Sequence, residues 1–226
     1  MPTIPDPTRR FICRTCQRET NQWPICGTRV DKDNVKIDTR TYKWRVSSTM
    51  KCRDCSTITF LVDTYCHTGF GDPDIEKTEY FPPLPFRIRP NWLTKLPENY
   101  RNILNEVHSA LDNSLFRLAS AGTRTAIDCL IIDRIGDIGG FEEKVKELVS
   151  KGIIDGDEHD FLLVLIDAGS ASIHRNFNPD EDSIKHMMDI LEKILFKVCI
   201  EPKEKQALKE KVEALRKKTP KRKKKE

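Results

Sequence analysis

DEHDFLLVLIDAGSASIHRNFN, residues 157–178, decides how the chain is read. It reads as one helix. Acidic residues fill its first turn, where they suit the positive end of the helix dipole, and Asp157 or a near neighbour supplies the N-cap. Its second half carries Ala168, Gly169, Ser170, Ala171 and Ser172, and it ends on His174–Arg175. Gly169 and Ala171 have little or no side chain, so another helix can approach closely there. The chain before this stretch is rich in cysteine, and the chain around it is built of helices that pack on its apolar side.

Outward from residue 157 toward the N-terminus the texture stays helical as far as Pro97. Pro97-Glu-Asn-Tyr opens a helix to about Asp112, with Ile103, Leu104, Val107 and Leu111 on one face. Residues 114–135 form a second helix, 136–140 a glycine-marked break, and 141–151 a short amphipathic helix ended by Gly152. Beyond the quoted stretch, Pro179-Asp-Glu-Asp starts another helix. Ile184, Met187, Met188, Leu191, Ile194, Leu195 and Val198 recur along it at helical spacing, as a core stripe does. Pro202 is expected to interrupt it before a last, solvated helix over 203–218.

Before Pro97 the texture changes. Residues 69–97 hold six prolines and read as an extended linker. Residues 35–46 alternate in the period-2 manner of a strand, and Thr57–Tyr65 is a second strand-like run rich in β-branched and aromatic residues. Residues 1–12, polar and with three prolines, read as a loose arm.

Charge is distributed unevenly over the 226 residues. The net charge is +4, yet residues 201–226 alone hold twelve Lys or Arg against five Glu, so the rest is mildly acidic. Lys217, Lys218, Lys221, Arg222, Lys223, Lys224 and Lys225 form a basic end that would add a salt-sensitive attraction to phosphates, or simply solubilise. The N-terminus shows no apolar run that could serve as a signal peptide, and no segment is long enough to span a bilayer. The eight cysteines are therefore expected as reduced thiols or metal ligands in the cytoplasm, with no membrane partner.

Cys13-x-x-Cys16 and Cys52-x-x-Cys55 carry the clearest chemistry. A Cys-x-x-Cys turn lets two thiolates reach one ion, and two such knuckles complete the tetrahedral set that one structural Zn2+ wants. Joined by a β excursion, they describe a zinc ribbon. Reduced unligated turns and a redox dithiol are the competing readings. The redox dithiol lacks the βαβ pattern that usually surrounds it. Cys26 and Cys66-His67 make an incomplete second set, while Cys129 and Cys199 fall on apolar helix faces. Arg14, Arg18, Arg29, Arg45, Arg53, Trp23 and Trp44 would serve a nucleic-acid surface, diluted by Asp31, Asp33, Asp38 and Asp54, so a structural or docking ribbon is the expected use.

On the quoted helix His174 lies seven residues after Asp167, about 10 Å along the axis, with Ser170 one turn below it. Such a histidine serves as a general acid or base near neutral pH, or as a helix-end cap or hydrogen-bonding residue.

The order of these features resembles the bacterial family called domain of unknown function 4145, preceded by a zinc ribbon. The resemblance spans nearly all of residues 13–200. It rests on the two knuckles, the Pro-rich joint and two helical segments. Ser120-Ala-Gly-Thr-Arg124-Thr-Ala-Ile-Asp128 looks like the family's Arg-x-x-x-Glu helix, and Gly169-Ser-Ala-Ser-Ile-His174 looks like its Gly-Asn-x-x-x-His segment. That family is placed with the HEPN-like helical bundles, which dimerise and occur in bacterial defence, toxin–antitoxin and restriction systems. Active HEPN ribonucleases pair an Arg with a His in an Arg-x(4–6)-His arrangement, the cation steadying the phosphate while the His moves a proton. Here the window 167–169 holds no Arg. Asp128 replaces Glu, Ser170 replaces Asn, and Arg124 or Arg175 would have to supply the cation.

The expected fold class is α+β, a small N-terminal β zinc ribbon followed by an all-α HEPN-like bundle. The domain expectation is a headpiece over 1–68, linker over 69–97, helical domain over 98–200 and basic tail over 201–226. The expected function is a zinc-binding interaction or regulatory module of a defence or nucleic-acid-processing system. A metal-independent ribonuclease using His174, and a nucleic-acid binder acting through the tail, are the alternatives. A homodimer, a protein partner and RNA or DNA are the expected partners.

Overall fold

The computed structural model describes residues 9–29, 35–36, 41–69 and 72–219. It divides into two compact units, Met1–Arg89 and Pro90–Glu226. The first is an antiparallel β sheet and the second is helical, an α+β architecture.

The β unit contains β1 (Arg10–Cys13), β2 (Arg18–Arg29), β3 (Val35–Lys36), β4 (Tyr42–Cys52), β5 (Ile58–His67) and β6 (Asp74–Phe81). The strand order is β1-β2-β4-β5-β6, with β3 also beside β4. Alternation sorts the side chains. Phe11, Met50 and Leu61 face a small core that Tyr80 and Leu84 help to close. On the same side Asp63 is fully buried. Arg9 reaches its two carboxylate oxygens at 3.0 Å each, and the Thr78 hydroxyl donates to it at 2.7 Å. A buried carboxylate needs such partners, because burying it alone costs several kcal/mol.

Three stretches differ from the sequence expectation. Residues 10–12 of the expected arm are part of β1, paired with Glu19–Asn21; residues 1–8 lie outside the described residues. β2 carries no strand pattern in sequence because Pro24 and Gly27 interrupt it. The register shifts between Pro24 and Cys26, a bulge that leaves Ile25 unpaired, as proline in a strand requires. Within the expected linker 69–97, Asp74–Phe81 is β6 and pairs with Phe60–Cys66 of β5. Of the six prolines there, one precedes this strand and five follow it, so the strand itself is free to form.

The helical unit opens with a 3-10 turn, Leu93–Lys95. There follow α1 (Glu98–Asp112), α2 (Phe116–Ile135), α3 (Phe141–Ser150), α4 (Gly156–His174), α5 (Glu181–Leu195), a π turn (Phe196–Ile200) and α6 (Glu201–Lys218). Asp155, two residues before Asp157, is the cap of α4. Its carboxylate accepts from Glu158 N at 3.0 Å, and Glu158 accepts from Asp155 N at 2.9 Å, a reciprocal capping box. Asp180 caps α5 through Ser183 N at 2.8 Å.

α2, not the quoted helix α4, is the hub: it packs on α1, α3, α4 and α5. Two glycines set its closest approaches. A Cβ on Gly122 would stand 2.6 Å from Val107 Cγ2 of α1. A Cβ on Gly169 of α4 would stand 2.6 Å from Arg124 Cβ and 3.1 Å from the Ser120 carbonyl of α2. Beside that crossing Ser172 donates to Ser120 Oγ at 2.8 Å, so the small residues of α4 are spent on α2. The α5 stripe Ile184, Met187, Met188, Leu191, Ile194 and Leu195 is buried as core.

Pro202 does not interrupt the chain of helices as expected. The π turn Phe196–Ile200 joins α5 directly to α6, and Pro202 sits in the first turn of α6, where a missing N–H costs nothing. α6 has no buried residue, in keeping with a solvated last helix.

Candidate metal centre and the helical site

The two Cys-x-x-Cys turns are built alike. Each sits where one strand ends: Cys13 closes β1 and Cys52 closes β4. In the first, Gln17 N donates to the Cys13 carbonyl at 2.8 Å; in the second, Ser56 N donates to the Cys52 carbonyl at 3.0 Å. The residue after each knuckle is left-handed, Gln17 with φ 53° and Ser56 with φ 65°. This curls each backbone so that both of its sulfurs point the same way.

β1 and β4 flank β2, so the sheet brings the knuckles together. Cys13, Cys16, Cys52 and Cys55 place their Sγ atoms within 4.8 Å of one another. The Cys13–Cys55 and Cys16–Cys52 separations are 3.5 and 3.9 Å, and all four are free thiols. Four sulfurs about 2.3 Å from a tetrahedral ion lie roughly 3.8 Å apart. The cluster therefore has the dimensions of a four-thiolate metal site, and the donor set suits zinc.

Hydroxyls line the sulfurs. Thr57 Oγ1 lies 3.1 Å from Cys55 Sγ, Thr20 Oγ1 lies 3.3 Å from Cys52 Sγ, and Thr15 and Thr57 touch at 2.6 Å across the two knuckles. Thr57 holds the Cys55 thiol down to about 6. Burial pushes Cys52 up, but Thr20 and the backbone N–H groups of Cys55 and Asp54 leave it below the usual thiol value. Cys16 is pushed up to about 12, chiefly by its hydrogen bond with Cys55, and Cys13 is raised chiefly by burial. The second knuckle thus presents thiolate more readily, and a cation bound there would draw the protons from the first. Arg18 and Asp54 tie the knuckles from outside at 2.6 Å. The spacing rule finds the four cysteines but not Thr15, Thr20 and Thr57, because no sequence pattern announces a hydroxyl brought in from a neighbouring strand.

The other cysteines stay apart from this cluster. Cys26 is exposed on β2, Cys66 is partly buried on β5, Cys129 is partly buried on α2 and Cys199 is buried in the π turn. Among the described residues, the four-cysteine group is the one set of three or more metal-ligating side chains placed close enough to share an ion.

In the helical unit His174 is the last residue of α4 and is exposed. Arg175 folds back along the helix, its guanidinium 2.5 Å from the Asp167 carboxylate and 2.9 Å from the Asp167 carbonyl. Asp167 therefore holds this arginine. Arg124 lays its stem under Gly169 and its guanidinium 4.9 Å from the Phe141 ring of α3. The contacts Ser120–Ser172 and Arg124–Gly169 define an antiparallel register of α2 and α4. In that register His174 lies toward the start of α2, while Arg124 reaches the other way, toward α3. Lys217 and Lys218 end α6 and are exposed; Lys221, Arg222, Lys223, Lys224 and Lys225 lie outside the described residues.

A family model described as Domain of unknown function (DUF4145) matches residues 105–218, just over half of the chain. The chain belongs to that family. The DUF4145 match begins inside α1 and ends at the last residue of α6, so it takes in the crossing of α2 and α4, His174 and the π turn. The cysteine cluster lies outside it, and the match runs through α6 rather than stopping near residue 200. No curated protein and no solved structure matches the chain. No helix among the described residues is long and apolar enough to cross a membrane.

Proposed function

We propose that the chain is a zinc-binding interaction or regulatory module, in which one structural Zn2+ on Cys13, Cys16, Cys52 and Cys55 holds a ribbon-like headpiece joined to a DUF4145 bundle. The observation that carries this reading is the convergence of four sulfurs at tetrahedral spacing, from knuckles of the same backbone design. The ion's part is structural. Four thiolates complete its coordination and leave no open position for water or substrate. The resemblance to HEPN-like bundles supports a dimeric protein of a bacterial defence or nucleic-acid-processing system, in the cytoplasm, where thiols stay reduced. The test is the metal content of freshly purified protein. One zinc per chain is expected, falling to near zero in Cys16→Ser and Cys55→Ser; a ratio near zero in the unmodified chain would remove the proposal.

A ribonuclease reading rests on His174, exposed at the end of α4 and open to a substrate. Its cation is the weak point, since Arg175 is held by Asp167 and Arg124 reaches toward Phe141. Cleavage of an RNA pool in the presence of chelator, lost in a folded His174→Ala variant, would establish it. No cleavage by either protein would set it aside.

A further inference from the structure

One face of the β sheet is left open, and its composition changes along the strands. Register places Trp23, Lys51 and Ile58 in one row across β2, β4 and β5, beside the second cysteine knuckle. Two residues along β4 and β5, and past the bulge in β2, Cys26, Thr49, Phe60 and Phe81 form the next row on the same face. The opposite face carries the buried Met50 and Leu61. Trp23 is 56% exposed, Phe81 51% and Phe60 39%, large values for rings of this size. Phe60 and Phe81 lie side by side with ring centres 6.2 Å apart, and the Arg53 guanidinium stands 5.4 Å from the Trp23 ring.

Charge pairing divides this face. At the end remote from the knuckle, Lys43 holds Glu76 at 2.5 Å, and Glu79 takes both Arg45 and Lys77 at 2.8 Å, so acid and base cancel. At the aromatic end the two exposed cations, Lys51 and Arg53, make no ion pair among the described residues. The nucleic-acid candidates noted in the sequence are therefore split. Trp44 is stacked on Tyr65 at 5.5 Å, and Arg18 and Arg45 are spent on carboxylates, while Trp23 and Arg53 lie against each other, the ring more than half exposed.

From this we infer that the knuckle end of the open sheet face binds single-stranded nucleic acid, with bases stacking on Trp23 and on the Phe60–Phe81 pair and phosphates meeting Lys51 and Arg53. Trp23 and Phe60 are two strands and two residues apart, about 12 Å between backbone positions, so they serve separate bases. Thr49 and Cys26 lie between them, and Ile58, 47% exposed, flanks Phe60 along β5. Separated flat rings with cations of one sign suit a strand of stacked bases, since every base offers a π face and every linkage a negative charge. The inference takes only the fold of the headpiece from the zinc proposal.

The test measures binding of a fluorescein-labelled oligothymidylate to the full chain by anisotropy, at low and high salt, with a hairpin duplex as comparison. A DNA probe keeps the result separate from any cleavage of RNA. Preference for the single strand is expected. Trp23→Ala should bind about tenfold more weakly, within the range for losing one stacked base, and Phe60→Ser/Phe81→Ser at least as weakly. Lys51→Glu should weaken binding and flatten its salt dependence. Metal content is read on every sample, so loss of the zinc-held fold is distinguishable from loss of the binding face. If a ring variant loses metal, the metal-bearing Lys51→Glu variant decides. Affinities within about twofold of the parent in metal-bearing variants would overturn the inference, as would no binding, or equal affinity for the duplex, the mark of the basic tail acting alone.

Discussion

The two units of this chain are stabilised in different ways. The helical unit has a continuous apolar interior, with Leu104, Leu111, Ile127, Leu130, Leu162, Leu165 and Leu191 all but excluded from solvent around α2. Among the described residues the β unit gathers Phe11, Met50 and Leu61 into an apolar cluster, and its other enclosed groups include the polar Gln22, Ser48 and Asp63 and the thiols of Cys13 and Cys52. Burial of apolar surface contributes about 25 cal/mol per Å2, so the second inventory falls well short of the first. The difference teaches which unit the proposed metal would have to support. Small units with thin cores depend on cross-links or ions, whereas a bundle with a filled interior does not.

Removing the metal gives the largest expected effect and separates the units. Chelation, or Cys52→Ser, should abolish the dispersed strand signals of the headpiece in a backbone amide spectrum, while the helical signals and the circular dichroism minimum of the bundle persist. Structural zinc contributes on the order of 10 kcal/mol to such sites. Simultaneous loss of both units would break the comparison. The converse is Leu130→Ala, which should destabilise the bundle by about 2–5 kcal/mol in denaturant titration and leave the metal content at its parent value.

The α2–α4 crossing offers a finer probe. Gly169→Val adds bulk that meets Arg124 Cβ and the Ser120 carbonyl, so the helices must part, at a cost of about 1–3 kcal/mol. If the melting temperature rises instead, helix propensity outweighs the close approach. The smallest effect is expected at the knuckle. Ser56 is left-handed at φ 65°, a conformation glycine adopts freely, and Ser56→Gly should stabilise the metal-bound headpiece by about 1 kcal/mol with the helical transition unmoved.

The cysteines were legible because Cys-x-x-Cys spacing is a local rule, and the helices because periods and caps are local too. α1, α2 and α3 begin and end within two residues of where the sequence places them, and α5 begins there but passes at Phe196 into the π turn. The cap of α4 moved from Asp157 to Asp155 because both are aspartates and only Asp155 has Glu158 three residues on, where it can reach back. β2 and β6 were hidden for a different reason. Pro24 is absorbed by a bulge, and half of Asp74–Phe81 is charged, so each is a strand by virtue of its neighbours rather than its own pattern. The hub role of α2 was equally invisible. Its buried residues include Ala119, Ser120, Thr123 and Ala126, which look unremarkable in sequence and matter because four helices close on them. The π turn that carries the chain past Pro202 depends on the packing of α5 and α6, not on a motif.

The most direct test of the metal-held headpiece is X-ray absorption at the zinc edge on the freshly purified chain. The account predicts one zinc with a first shell of four sulfurs at about 2.3 Å and no oxygen or nitrogen neighbour. A mixed shell, or protein free of bound metal with its strands intact, would contradict it.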